Sequence, residues 1–582
     1  MTLKADADLR ETIRKIALIN AVKHDGKAQM GPVIGKILGE KSDLRAKVKE
    51  LSALVNGVIK EVNKLSPDEQ KRIVEEKWPE TLAKEKAEAE KHLPPLPNVE
   101  KYAKVITRYS PNPDCVLHMG SARAIVLCYE YARIYKGKFI LRFEDTDPKL
   151  KRPVLEFYDL IRKDLDWLEC NPDEEYIQSD RIPIYYEYAE RMLKDGNAYV
   201  CTCQPEEFRK KILANKPCDC RNLPVKEHLA RWHRMLEGGY VEGEAVVRVK
   251  TDLNHPNPAV RDWPAMRIID TEKYPHPRVG SKYYAWPLYN LACGVDDHLM
   301  GVTHIIRGKE HLTNMVRQEF MYQHLGWHYP EAIHYGRLKI TGASLSKSKI
   351  VQGVKEGLYN GWDDPRLATF LALKKRGITS EAVKKMIMEV GPKPSDIILS
   401  WDNLYAYNRK ILDPKVDRYF FVHNPVELTV RDIPKSFRAQ LHLHPDQPER
   451  GFREYTIKPQ DKSATFWIAK KDLASFEKGA VVRLMELFNV QLENVTASHV
   501  EARFASEAYE EARKAKAQLI HWIPVGADMP CQVIMPDATT AEGIAESICK
   551  RLKPNTMIQF ERFGFVRIDE VDAKLTAYYG HK

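Results

Sequence analysis

Cysteine is scarce, with ten residues in a chain of 582. That is too few for a disulfide-built scaffold, so cysteines that cluster are read first as ligands. Long apolar runs are missing as well. No stretch approaches the ~20 consecutive apolar residues that cross a bilayer, and the start, MTLKADADLRETIRK, lacks the apolar core of a secretory signal. A cytoplasmic protein without a membrane partner is expected. No internal repeat of fixed period is found. Neither sign of charge dominates: 91 Lys+Arg stand against 81 Asp+Glu, a net +10, compatible with a polyanionic partner and equally with a solvated basic surface. What is present is ordinary for globular proteins. Hydrophobic residues make up 43%, with 17 Phe, 27 Tyr and 10 Trp, which excludes disorder for most of the chain. At roughly 150 residues per domain, the length suggests about four domains.

The first hundred residues read as helices. Ser42 can cap a helix whose apolar positions Leu44, Val48, Leu51, Val55, Val58 and Val62 recur at three- and four-residue steps. Ser66-Pro67-Asp68-Glu69 is a second start, with a capping Ser, Pro at the first helical position and Glu three residues on. A charged run from Lys84 to Lys91 leads into Leu93-Pro94-Pro95-Leu96-Pro97, a stiff linker. From Lys104 the pattern changes to strand (Val105-Ile106), a Pro- and Gly-containing loop, a helix from Ser121 to about Tyr135, and the strand Lys138-Phe139-Ile140-Leu141-Arg142-Phe143. This is a βαβ unit, hence a parallel sheet with ligands at the strand ends. Beyond Pro414, short β-rich runs (464–469, 480–484, 531–535, 557–560) favour one or two antiparallel barrels.

Three stretches carry chemistry. In Arg108-Tyr109-Ser110-Pro111-Asn112-Pro113-Asp114-Cys115-Val116-Leu117-His118-Met119-Gly120-Ser121, two prolines pin the loop and a His lies two residues before a Gly at the helix start. Free backbone N–H groups there, with an imidazole donor, suit a nucleotide phosphate; an ordinary turn and cap is the alternative. Thr341-Gly342-Ala343-Ser344-Leu345-Ser346-Lys347-Ser348-Lys349 is a small basic loop able to bring a cation and hydroxyls over a reacting phosphate, or simply a solvated loop. Cys201-Thr202-Cys203 and Cys218-Asp219-Cys220 could supply four thiolates to a tetrahedral Zn²⁺, the alternative being four reduced, packed cysteines. The other six cysteines read as core or chance.

Taken together, His118-Met119-Gly120-Ser121 and Ser344-Leu345-Ser346-Lys347-Ser348 resemble the HIGH and KMSKS signatures of class I aminoacyl-tRNA synthetases. Leu141-Arg142-Phe143-Glu144-Asp145-Thr146-Asp147-Pro148, Trp286-Pro287-Leu288-Tyr289-Asn290-Leu291-Ala292 and the stretch from Val295 to Gly308 narrow the resemblance to glutamyl-tRNA synthetases of archaeal type. Asn408-Arg409-Lys410-Ile411-Leu412-Asp413-Pro414 resembles the join to the anticodon domain in that group. The last His of HIGH is Ser121 here and the first Lys of KMSKS is Ser344, which shifts the implied phosphate contacts onto His118, the helix N-terminus and Lys347. Gly26-Lys27-Ala28-Gln29-Met30-Gly31-Pro32-Val33-Ile34-Gly35-Lys36 looks like the Gly/Lys loop of helical tRNA-binding modules, although a plain connecting loop fits equally.

The resemblance implies an α/β multidomain fold. Residues 1–98 form a helical extension, 99–200 and 281–350 the halves of a Rossmann-type parallel-sheet catalytic domain, and 201–280 an acceptor-binding insertion. Residues 351–414 form a helical connector, and 415–582 antiparallel β-barrels that bind the anticodon. It implies ATP-dependent glutamyl-adenylate formation, then transfer to the terminal adenosine of tRNA(Glu), with tRNA(Gln) as a second candidate acceptor, by a monomer. Carried over by motif, His118, Gly120 and Lys347 are catalytic. Pro111, Asn112, Pro113, His118, Gly120, Ser121, Ser346, Lys347 and Ser348 bind ATP with Mg²⁺, and Arg108, Glu144, Tyr289, Asn290 and Arg307 bind glutamate. Cys201, Cys203, Cys218 and Cys220 are the candidate zinc ligands. Arg108 is expected to face the substrate's side-chain carboxylate and Arg307 its α-carboxylate, each as a bidentate fork, with Glu144 receiving the amino group. Glutaminyl-tRNA synthetase is the nearest rival. An enzyme glutamylating a tRNA base, another nucleotidyltransferase and a non-catalytic tRNA-binding scaffold are more distant.

Overall fold

The computed structural model describes residues 7–23, 26–40, 48–78, 93–343 and 346–582. The Ser42 cap with Leu44, the charged run 84–91, and Ser344 with Leu345 lie outside the described residues. The chain divides into two compact units, Met1–His92 and Leu93–Lys582.

The first unit holds helices α1 (Ala7–Lys23), α2 (Met30–Glu40), α3 (Val48–Val62) and α4 (Pro67–Lys77). Leu51, Val55, Val58 and Val62 are all buried, as their spacing requires of one helix face. Ser66 and Glu69 close the capping box at the start of α4: the Ser66 hydroxyl accepts from the Glu69 amide, and the Glu69 carboxylate accepts from the Ser66 amide at 2.9 Å. The Gly/Lys segment is largely helix rather than loop. From Met30 onward it is α2, because Val33 and Ile37 recur four apart and are buried in the helical core.

In the second unit the expected linker packs into the core, since Leu93 and Leu96 join its main hydrophobic cluster. Strand β1 (Ile106–Tyr109) leads through α5 (Met119–Ile134) to β2 (Lys138–Phe143), and α6 (Leu155–Trp167) leads to β3 (Glu174–Ile177). These strands form a parallel sheet in the order β1-β2-β3. After α7 (Ile182–Lys194) comes an insertion: a four-stranded antiparallel sheet of β4 (Ala198–Cys201), β5 (Val246–Val249), β6 (Pro264–Ile268) and β7 (Ala285–Pro287), with helices α8 (Pro205–Leu213) and α9 (Val225–Leu236). Trp232, Trp263 and Trp286 fill its core with α7. The chain then returns through α10 (Tyr289–Leu299), β8 (His304–Gly308), α11 (Leu312–Leu325) and β9 (Glu331–Tyr335), with β8 and β9 parallel. Strand β8 lies beside β1 on the side opposite β2: the Thr303 amide donates to the Ile106 carbonyl at 3.0 Å. The strand order therefore reverses between β1 and β8, and a crevice opens at their carboxyl ends, where parallel α/β sheets bind ligands.

Strand β10 (Leu338–Ile340) pairs in parallel with β11 (Ile397–Leu399) across the connector helices α12 (Lys347–Lys355), α13 (Phe370–Lys375) and α14 (Ser380–Val390), and α15 (Trp401–Leu412) follows. Beyond it stand two seven-stranded sheets. They are mixed rather than purely antiparallel, because each keeps parallel pairs, such as 427–431 with 499–503 and 531–534 with 575–578. They are also interleaved. Strands Asp417–Tyr419 and Phe421–His423 join the sheet built from residues after 527, while seven strands between Pro425 and Pro524 form the other, and Phe437–His442 with Phe452–Ile457 make a separate two-stranded hairpin. The last strand, Leu575–His581, lies inside its sheet and anchors the connector: Asn408 Nδ2 and His581 Nε2 are 3.0 Å apart.

Candidate active site

The loop after β1 is pinned as its prolines suggest. They donate no hydrogen bonds, but their carbonyls accept from Glu144 (Pro111) and Val154 (Pro113), each at 2.9 Å. His118 caps α5, its Nδ1 accepting from the Gly120 amide at 3.0 Å. Burial pushes the imidazole down to about 4, so at neutral pH it is uncharged and, with Nδ1 accepting, carries its proton on Nε2. The helix N-terminus itself is closed. The Met119 amide donates to Ala368 O at 2.9 Å, and the Ser121 amide to His118 O at 2.7 Å. The expected open backbone donors are therefore taken, and anion contact falls to side chains. Buried polar atoms remain in this loop: Ser110 Oγ and Asn112 Oδ1 have no partner among the described residues, a cost that a polar ligand would remove.

Across the crevice, Ser346 caps α12, Lys347 is its first residue, and the hydroxyls of Ser346 and Ser348 lie 3.3 Å apart. The Lys347 ammonium contacts the Asp114 carboxylate, joining this segment to the His118 loop. Burial pushes Lys347 down to about 8, while the touching carboxylate favours the charged form. It is mostly cationic at pH 7.

The second half of the site is a buried ion cluster. Arg108 on β1 donates from Nε and Nη2 to both oxygens of Asp297, at 3.0 and 3.1 Å. Arg142 on β2 reaches Asp297 Oδ1 at 2.7 Å and Glu144 Oε1 at 3.0 Å. Arg307 on β8 is held by Tyr329 OH at 2.8 Å and Gln318 Oε1 at 3.2 Å, with Tyr289 OH at 3.4 Å. Burial acts strongly on Asp297 and would raise it, but Arg108 and Arg142 outweigh that and hold it well below the usual carboxylate range. Burial pushes Glu144 up, against the pull of Arg142 and Arg108.

Arg108, Glu144, Tyr289 and Arg307 thus come together as the motifs imply. The side-on edge of Arg108 is spent on Asp297, leaving its Nη1 end for a ligand rather than the whole fork. Asn290 does not bond to this group; its Oδ1 is buried without a partner among the described residues. The residues that do face the cluster are Cys293 and Asp297, four and eight positions after Tyr289 on α10. Cys293 Sγ lies 3.3 Å from Arg142 Nη2 and 3.5 Å from Asp297 Oδ2. One face of a helix repeats every three to four residues, so the signal for these two was the spacing itself. Cys293 is buried, as a core residue, and also touches both charged groups; Arg142 and Asp297 were missed because only their neighbours in the motifs were given roles.

Three of the four clustered cysteines converge: the sulfurs of Cys201, Cys203 and Cys218 all lie within 4.8 Å of one another. Cys201 and Cys218 sulfurs are 3.9 Å apart, and Cys220 joins the group through Cys203, at 3.7 Å. These two spacings are far beyond a disulfide's ~2.05 Å and near the ~3.8 Å edge of a tetrahedron with metal–sulfur bonds of ~2.3 Å. Arg231 Nη1 and the Thr202 amide point at Cys220 Sγ, at 3.4 and 3.5 Å, a setting that favours a thiolate.

Sequence comparison supplies the frame for this geometry. Residues 104–414 match the family "tRNA synthetases class I (E and Q), catalytic domain", and residues 416–506 and 519–569 match two anti-codon binding domains of the same group. The chain belongs to the class I tRNA synthetases of the E and Q type. Among its curated relatives in that family are proteins named "Glutamate--tRNA ligase". The one from Pyrococcus furiosus is 52% identical over 575 residues, covering 98% of this chain and 99% of the relative. Those from Pyrococcus abyssi (53%, 98% and 99%) and Thermococcus kodakarensis (51%, 99% and 100%) are equally extensive matches. As a class I synthetase, the chain presents its HIGH-type and KMSKS-type residues on opposite walls of one crevice. Among the described residues no helix is long and apolar enough to cross a membrane.

Proposed function

We propose that this chain is a glutamate–tRNA ligase, which joins L-glutamate to AMP at the expense of ATP and then to the 3′-terminal adenosine of tRNA. What carries the reading for glutamate rather than glutamine is the charge of the buried cluster. Four guanidiniums (Arg108, Arg142, Arg181, Arg307) stand with three carboxylates (Glu144, Asp296, Asp297), a net charge of +1. Glutamate at neutral pH carries −1 and glutamine none, so the pocket is neutralised only by glutamate.

In the first step the α-carboxylate attacks the α-phosphate of ATP and pyrophosphate leaves. Arg307 holds the α-carboxylate, Arg108 offers its Nη1 end to the side-chain carboxylate, and Glu144 receives the amino group. Charge builds on phosphate oxygens, where His118 Nε2–H and Lys347 act as a neutral and a charged donor, with Mg²⁺ arriving on the nucleotide. Lys347 leaves Asp114 for the phosphates when ATP enters. Pro111, Asn112, Pro113, Gly120, Ser121, Ser346 and Ser348 line the nucleotide side. In the second step a ribose hydroxyl of the terminal adenosine attacks the glutamyl carbonyl and AMP departs.

Cys201, Cys203, Cys218 and Cys220 would hold a structural Zn²⁺ that fixes the insertion against the tRNA acceptor end. tRNA(Glu) is the substrate, and the anticodon-binding sheets leave tRNA(Gln) as a second acceptor. The chain works in the cytoplasm as a monomer. The test combines purified chain, ATP, radiolabelled glutamate or glutamine, and separate transcripts of the two tRNAs. Glutamyl-tRNA is expected; labelled glutaminyl-tRNA in its place would overturn the reading.

A further inference from the structure

Lys347 must be delivered to the phosphates accurately, and residues 341–343 precede it in the chain. Residues 341–343 border a cavity of about 580 Å³ shared with Tyr359, Arg366, Trp401 and Asp537. Among the described residues, the hydrogen bond that reaches this segment from the rest of the fold is that of Trp401, whose indole Nε1–H donates to the Thr341 carbonyl at 2.9 Å.

Trp401 is itself fixed. It is the first residue of α15, capped by the Ser400 side chain, which accepts from the Asp402 amide. The Arg376 guanidinium lies 5.1 Å from the Trp401 ring centre and 5.6 Å from that of Tyr405. Arg376 is 1% exposed, and its Nη2 donates to Tyr405 OH at 2.6 Å and to Gly580 O at 2.9 Å. Tyr405 in turn stacks on His581, with ring centres 5.3 Å apart. A continuous set of contacts thus runs from the last strand of the chain, through Arg376 and Trp401, to the backbone entering the Lys347 segment. A buried cation set against two aromatic rings that stack on each other is held in both position and orientation.

We propose that Trp401 is a positioning residue for ATP activation: it fixes the backbone at Thr341 so that Lys347 meets the phosphates in register, and Arg376, tied to Gly580, fixes Trp401. This rests on the ligase reading above. Trp401→Phe keeps an aromatic ring beside Arg376 and Tyr405 while removing the N–H along with part of the indole. Loss of one net hydrogen bond is worth roughly two- to tenfold. The variant should therefore lower kcat for glutamate-dependent ATP–pyrophosphate exchange by about that factor and raise the KM for ATP, leaving the glutamate KM and the thermal midpoint in place. Arg376→Lys, which gives up the planar stack, should move the same two parameters in the same direction. Amide hydrogen exchange of residues 338–343 should quicken in Trp401→Phe whether or not the chain activates glutamate. Unchanged amide exchange there, or a glutamate KM that rises in step with the ATP KM, would overturn the proposal. A parent chain without glutamate-dependent pyrophosphate exchange would instead overturn the ligase reading alone.

Discussion

Asp297→Asn is the most demanding test of the substrate pocket. The carboxylate makes three buried contacts of 2.7, 3.0 and 3.1 Å to two guanidiniums. An amide of the same shape offers one acceptor and turns an NH₂ towards an arginine, so at least one attraction becomes a donor–donor contact. Removing one partner of a buried ion pair costs about 3–5 kcal/mol. At ~1.4 kcal/mol per tenfold, a loss of about 3–4 kcal/mol appears as a 10²–10³-fold fall in kcat/KM for glutamate. The KM for ATP, set on the opposite wall, should change by less than about threefold. The pH arm has a definite sign. Asp297 is held below its unfolded value of ~3.9, so its contribution to stability is complete above that pH and is lost as the pH falls further. The stability gap between parent and variant should accordingly be flat from about pH 5 to 8 and shrink only below about pH 4, as read by urea unfolding monitored through tryptophan fluorescence. A glutamate kcat/KM within threefold of the parent, or a gap that closes between pH 5 and 8, would refute the assignment of Asp297 as the anchor of both arginines.

Three further outcomes follow from the same geometry. Lys347→Ala should cut adenylate formation by two orders of magnitude or more, in the range of a lost charged donor to a developing phosphate charge, while glutamate binding measured without ATP stays unchanged; equal losses would contradict its role. His118→Asn keeps a capping side chain on α5 and removes the imidazole, so the thermal midpoint should hold while pyrophosphate exchange collapses, whereas His118→Ala should also lose about 1 kcal/mol of stability. Because burial holds His118 near 4 while an unfolded His titrates near ~6.5, the parent loses stability as pH falls through that interval and the Asn variant lacks that component. Metal analysis of the chain purified without added zinc should find one Zn²⁺ per chain, and Cys218→Ser should reduce it and make residues 198–250 more sensitive to protease; a full complement of zinc in that variant would exclude the four-sulfur site.

Local signals were legible. The Ser66-Pro67-Asp68-Glu69 box, the strand Lys138–Phe143 and the β-rich runs 464–469 and 557–560 are set by near neighbours in sequence, and they form where their residues direct. Arg108, Glu144, Tyr289 and Arg307, the residues proposed to hold glutamate, were picked out through motifs. What escaped is long-range. The Met119 amide is closed by a carbonyl from Ala368, about which nothing in the His118 segment speaks. Cys293 and Asp297 carry the pocket's electrostatics only because α10 turns them to the same side as Tyr289. The interleaving of the two C-terminal sheets likewise leaves no local trace, because strand propensity says which residues pair but not with whom.

That interleaving bears on the order in which the molecule can be made. A ribosome releases strands Asp417–Tyr419 and Phe421–His423 first, but their partners Met557–Phe560 and Thr540–Glu546 come only after the whole of the other sheet. The 425–524 sheet can close on itself while the earlier strands wait with bare edges, a state that invites pairing with other chains. Arg376 and Asn408 wait longer still, for Gly580 and His581. The connector beneath the catalytic crevice is thus locked by the strand synthesised after all its neighbours, so a nascent chain completes its tRNA-reading end and its ATP-side scaffold in the same late event.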